Sequence, residues 1–95
     1  MREKQVEQAL VKAVKAKGGI CPKFVSPGLA GVPDRLVLMP NGKLGFVEVK
    51  APGKKARVLQ LYRIKKLTAL GFKCFVLDEV EQIPTLIEKI GGDAR

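Results

Sequence analysis

Asn41-Gly42 stands between two apolar runs, Leu36 to Met39 and Leu44 to Val49, and this arrangement leaves the chain little local freedom. An Asn-Gly pair adopts the positive backbone angles of a tight turn at low cost, so the flanking runs read as an antiparallel hairpin. Strands are expected over Asp34 to Met39 and Leu44 to Lys50, with Ala51-Pro52-Gly53 breaking the second. Side chains alternate faces along a strand, so Glu48 and Lys50 share one face while Val49 takes the other. With the turn centred between Asn41 and Gly42, Asp34 falls opposite residues near Val49, close to both Glu48 and Lys50.

The remaining elements follow from periodicity and breakers. Val6, Leu10, Ala13 and Val14 recur at helical spacing, which predicts a helix from Glu3 to Lys17 that Gly18-Gly19 ends. A short strand is expected from Ile20 to Val25, interrupted early by Pro22, followed by the Gly/Pro-rich loop Ser26 to Pro33. A second helix is expected from about Lys55 to Leu70, stopping at Gly71. Phe72 to Leu77 is a continuous apolar strand of the kind buried on both faces. A last helix spans Val80 to Ile90 with Pro84 in its first turn, closed by Gly91-Gly92. The order is αβββαβα: an α/β fold with a mixed sheet flanked by helices, and a right-handed crossover where the strands run parallel. The 95 residues make one domain, 1–95.

Composition narrows the chemistry. No apolar run approaches the roughly 20 residues of a membrane span, and the charged N-terminus does not read as a secretory signal. A cytoplasmic location, in a bacterial or phage-infected cell, is the expectation. Cys21 and Cys74 form no CxxC pair and read as buried, reduced thiols. Histidine is absent, which excludes Ser-His-Asp and HExxH chemistry. Any hydrolysis must therefore run on carboxylates and lysine, with or without a hard metal ion, and no small-molecule cofactor is expected. The net charge of +9 points to a polyanionic partner. Between Val49 and Leu77 lie eight basic residues and no acidic one. Six of them, Lys54, Lys55, Arg57, Arg63, Lys65 and Lys66, are candidate phosphate contacts.

Taken singly, Asp34, Glu48 and Lys50 read most often as a turn cap and a surface ion pair. Converging at the end of an apolar hairpin, they form the set that phosphodiester hydrolysis requires. Carboxylate oxygens suit Mg²⁺ or Mn²⁺. Such an ion neutralises phosphoryl charge and acidifies a water, while an ammonium group orients that water or stabilises the transition state.

Gly31-Val32-Pro33-Asp34, an apolar hairpin, then Glu48-Val49-Lys50 and Ala51-Pro52-Gly53 together resemble the PD-(D/E)xK nuclease signature, in the form of the VRR-NUC family. The likeness covers nearly the whole chain. One departure is that Leu77-Asp78-Glu79-Val80-Glu81 follows the last strand, with no Val-Arg-Arg. The resemblance implies that Asp34, Glu48 and the Val49 carbonyl bind metal, that Lys50 acts on the water, and that a helix acid completes the metal site. Glu7, on the inward edge of the first helix, is the candidate for that acid. Glu3, one turn earlier, competes with it, and a partly exposed salt bridge to a neighbouring lysine is the alternative for either. Gln60, on a stripe with Ile64 and Leu67, matches the family glutamine beside the lysine, with a buried amide bonded to backbone as the alternative.

Val58, Leu61, Tyr62 and Ala69 give the second helix another apolar stripe, which needs a surface to pack on. A homodimer with a two-fold axis is the expected answer. Paired sites on a basic surface suit branched DNA such as a four-way junction. The competing readings are a non-catalytic DNA-binding module retaining the fold, and an RNA-processing nuclease.

Overall fold

A computed structural model describes residues 1–91 and is organised around one central strand. The elements are α1 (Glu3–Ala16), β1 (Arg35–Met39), β2 (Lys43–Val49), α2 (Val58–Ala69), β3 (Lys73–Leu77) and α3 (Ile83–Gly91). Single 3-10 turns lie at Pro40–Gly42 and Val80–Gln82. The sheet order is β1-β2-β3, with β1 antiparallel and β3 parallel to β2. Residues Gly45 to Val49 of β2 are all buried.

The period of two divides the sheet into faces of different chemistry. Val37, Met39, Val47, Val49 and Leu77 pack with Val6, Leu10 and Val14 of α1 and with Ile83, Leu86, Ile87 and Ile90 of α3. α3 comes so close to β2 that a Cβ at Gly45 would collide with the buried Ile90 side chain, which glycine avoids. The other face carries Phe46, packed between Phe24 and Phe72 at ring-centre distances of 5.7 Å each, and next along it Glu48. α2 covers that end of the sheet. Fully burying a core side chain contributes about 1.5–3 kcal/mol, so the α1/α3 face supplies most of the stability. The α2 face is free to carry charge.

Several boundaries differ from the sequence expectation for local reasons. Asn41 and Gly42 both adopt positive φ, 68° and 74°. Pro40 nevertheless joins the turn, because it has no N–H to give to a ladder. Met39 and Lys43 therefore close a three-residue connection centred on Asn41. The register moves by one residue, so that Arg35 faces Val47, and one step further Asp34 faces Glu48 rather than Val49.

The strand expected over Ile20 to Val25 is reduced to two bridges, Ile20 to Leu38 and Lys23 to Arg35. Pro22 prevents a continuous ladder, although its carbonyl accepts the Leu36 N–H at 3.0 Å. This irregular segment still covers the outer edge of β1.

β3 was expected to be buried on both faces, yet it is an edge strand in which only Leu77 is buried. The central role belongs to β2. α2 begins at Val58 rather than near Lys55, after a turn in which the Lys54 N–H bonds the Ala51 carbonyl at 2.9 Å. The last helix is divided into the 3-10 turn and α3, whose first turn holds Pro84. It runs through Gly91, and Gly92, the other half of the expected stop, lies outside the described residues. Among the described residues no helix is long and apolar enough to cross a membrane.

Candidate active site

The hairpin register delivers the acids. Asp34 immediately precedes β1, and its Oδ1 accepts the Val49 N–H at 3.1 Å. That bond ties the entry of β1 to the exit of β2. Glu48, only 3% exposed, stands on the α2 face of β2. Its Oε2 accepts the Gln60 Nε2–H at 2.7 Å and pairs with Lys50 Nζ at 3.2 Å. Its Oε1 is buried and has no hydrogen-bond partner.

A carboxylate oxygen left in this condition costs free energy unless something cationic or protic meets it. Glu48, Lys50 and Gln60 thus form one bonded group, and the Val49 backbone holds Asp34 beside it. The oxygen-only donor set and the unmatched Glu48 Oε1 fit a hard divalent ion.

Gln60 has a double role. Its Oε1 accepts the Arg57 N–H at 2.8 Å, capping the first turn of α2, while its Nε2 reaches Glu48. The buried amide bonded to backbone, one of the two readings open to Gln60 in the sequence, is thus realised, with the Glu48 carboxylate as a second partner.

The loop leading into the site is held equally firmly. Gly31 has φ +83° and lies so close to α2 that an added Cβ would sit 2.7 Å from Leu59 Cγ and 2.9 Å from its carbonyl oxygen. Arg63 Nε donates to the Ala30 carbonyl at 3.0 Å. Arg63, a candidate phosphate contact, thus anchors this loop, and its guanidinium also lies 5.4 Å from the Tyr62 ring centre. Lys54, Lys55 and Arg57 are exposed on the segment joining the site to α2. Lys65 and Lys66 are exposed on α2 itself.

Glu7 does not join the pair. Its Oε2 accepts Arg35 Nε at 2.9 Å, with both side chains largely buried. Arg35 also donates from Nη1 to the Cys21 carbonyl at 2.7 Å. Glu3 is exposed and has no hydrogen bond among the described residues. No three histidine, cysteine, aspartate or glutamate side chains gather as a metal cluster among the described residues. The partly exposed ion pair weighed for the helix acid is realised, with arginine in place of lysine.

Arg35 is the site residue that sequence reasoning missed. The signal was its alternation with Val37 and Met39, which puts a guanidinium on the apolar face, where it requires a buried partner.

No family model matches the chain. A protein described as "Putative nuclease p44", from Acyrthosiphon pisum secondary endosymbiont phage 1, is 55% identical over 78 residues, covering 82% of this chain and 84% of that one. A solved "VRR_NUC domain" superposes with a TM-score of 0.83 at 32% identity, covering 90% of this chain and 94% of the other. The chain belongs to the VRR-NUC family.

The αββαβα arrangement is thus a VRR-NUC nuclease fold, and the missing Val-Arg-Arg after β3 does not remove the chain from the family. In this VRR-NUC chain the electrostatics of the acid pair are strained. Burial and the nearby Glu48 carboxylate push Asp34 from its ordinary 3.8 up to about 6. Glu7 and Glu3 add to the repulsion, and the Val49 N–H acts against it.

A native pKa above the unfolded value means that the folded state holds the extra proton between about pH 4 and 6. Stability from this group is therefore greatest below that window and falls as pH rises through it. Asp34→Asn keeps an acceptor for Val49 and removes the charge. The metal-free variant is expected to be more stable than wild type at pH 7.5, with the difference shrinking as pH falls from 6 to 4. Urea denaturation across that range checks it, and a variant less stable at every pH contradicts it.

Proposed function

We propose that this chain is a Mg²⁺- or Mn²⁺-dependent endodeoxyribonuclease that cuts branched DNA, such as four-way junctions, as a homodimer. One observation carries the reading. Glu48 and Asp34 are brought together beside Lys50, with a buried Glu48 oxygen unmatched, in a segment otherwise rich in positive charge. Acids there would repel phosphate without a cation between them. Family membership supports nuclease chemistry, and the related phage protein bears the name of a nuclease.

Asp34, Glu48 and the Val49 carbonyl would hold the ion. When bound, it neutralises charge on the phosphoryl oxygens and lowers the pKa of a water. Lys50 Nζ, already aligned on Glu48 Oε2, donates to that water or to a phosphoryl oxygen as negative charge develops. Gln60 keeps the Glu48 carboxylate from rotating and couples it to the start of α2. Lys54, Lys55, Arg57, Lys65 and Lys66 grip phosphates, giving salt-dependent affinity with little base readout. The Ser26 to Val32 loop walls the cleft.

The dimer reading is supported by α2. Val58 is 84% exposed, and Leu61 and Tyr62 are each 50% exposed. A second copy across a two-fold axis covers these residues and presents two sites to two strands. Sedimentation at micromolar protein should give twice the chain mass, and a single-chain mass in moderate salt contradicts the dimer.

The decisive experiment compares a labelled four-way junction, a flap, linear duplex and a matched RNA junction, with and without Mg²⁺ or Mn²⁺. Metal-dependent cutting of branched DNA is expected, and Lys50→Ala should slow it by about 10²–10³-fold while binding persists. Binding without cutting would identify a DNA-binding module, preference for the RNA junction would identify an RNA enzyme, and unimpaired cutting by Lys50→Ala would remove this site from the chemistry.

A further inference from the structure

The loop from Val25 to Ala30 stands beside the acid pair on a fixed stem. At its start the Phe24 N–H bonds the Asp34 carbonyl at 2.9 Å. The Phe24 ring packs on Phe46, which lies two residues before Glu48 on the same face of β2. At the loop's end the Ala30 carbonyl accepts Arg63 Nε, and Gly31 lies against Leu59, the residue before the Gln60 that holds Glu48. These contacts set the loop on the α2 face, between the backbone that presents Asp34 and the helix that steadies Glu48.

Between its anchors the chain closes a turn. The Leu29 N–H bonds the Ser26 carbonyl at 3.2 Å, and the Pro27 ring fixes its own φ. A Cβ added at Gly28 would meet nothing within 4 Å, so the tip projects into open space. Val25 and Leu29 flank that tip and are 77% and 42% exposed. Two aliphatic side chains are thus held in water by an ordered backbone, with little ordering left to do on binding.

The surroundings select what meets them. Lys23 is exposed just before the loop, and Lys54, Lys55 and Arg57 are exposed on the segment that leads from the site to α2. No acidic residue lies from Lys23 to Ala30. Such a setting favours a polyanion. Aliphatic groups make no bond to phosphate, so the parts of DNA that gain from touching them are a base face or a thymine methyl. In continuous duplex the base faces are stacked and covered. At a branch point or an unpaired nucleotide they are open, and an inserted apolar side chain keeps the step unstacked.

We propose that Val25 and Leu29 form an apolar wedge that packs against an unstacked base beside the scissile phosphate, so that branched or unpaired DNA is preferred over continuous duplex. This rests on the reading of Asp34 and Glu48 as the cutting site. The two aliphatic residues determine specificity, while the acids and Lys50 act on whichever phosphate reaches them.

The Lys50→Ala protein in Mg²⁺, which holds DNA with little cutting, reads the contact on a four-way junction carrying 2-aminopurine at its centre. That base brightens when it unstacks. Brightening is expected at the centre of the junction, and none at the same base within linear duplex. Adding Val25→Ser and Leu29→Ser should abolish it and weaken junction binding about tenfold. Duplex binding, which depends on the phosphate contacts, should stay within about twofold. Adding Val25→Ile and Leu29→Met instead should keep the brightening.

Undiminished brightening and junction affinity in the serine variant overturn the wedge. So does conversion of a dimer into single chains by the same two substitutions, which would give these side chains to a second copy. Failure of wild type and Lys50→Ala, with the loop intact, to bind any of these DNAs instead brings down the underlying reading.

Discussion

The Val49 N–H bonded to the Asp34 carboxylate is the contact through which the backbone sets the chemistry. It joins the entrance of one strand to the exit of its neighbour and holds Asp34 beside Glu48, where like charges repel. Such an arrangement persists only because the surrounding structure imposes it. Here the imposing elements are the β1–β2 ladder, the tight turn at Asn41-Gly42, and the apolar face packed under α1 and α3. Slipping the ladder by one residue would turn Glu48 into that core. The same register that gives the sheet its stability thus protects the site.

α2 completes this constraint from the other face. Gln60 caps the helix and holds Glu48, while Gly31 and Arg63 fasten the preceding loop to the same helix. One short helix therefore fixes both walls of the acid pair and carries basic side chains outward. Its remaining apolar residues stay exposed, in keeping with a surface shared between copies. The division of labour within the sheet is equally plain: one face is a conventional core, and the other trades packing for a buried carboxylate and its partners.

Much of this was legible in the residues. The turn residues and alternation placed Asp34, Glu48 and Lys50 together, and helical spacing directed Gln60 inward. The register differs by one from what the Asn-Gly signal implies, because proline at position 40 joins the turn. The first expected strand dissolved into bridges because Pro22 lies within it, and the apolar content of β3 gave no hint that it would be an edge. Glu7 was read correctly as inward-facing, but its partner was not found. Local patterns rank positions by burial, whereas the pairing of Glu7 with Arg35, 28 residues away, is a product of tertiary folding.

The central claim is that Asp34 and Glu48 share a cation. Crystals soaked in Mn²⁺ and measured at a wavelength where manganese scatters anomalously test it without reference to activity or substrate. The account predicts a peak within about 2.0–2.5 Å of a carboxylate oxygen from each of the two residues. Anomalous density confined to other parts of the surface, with Glu48 Oε1 still unliganded, would contradict it.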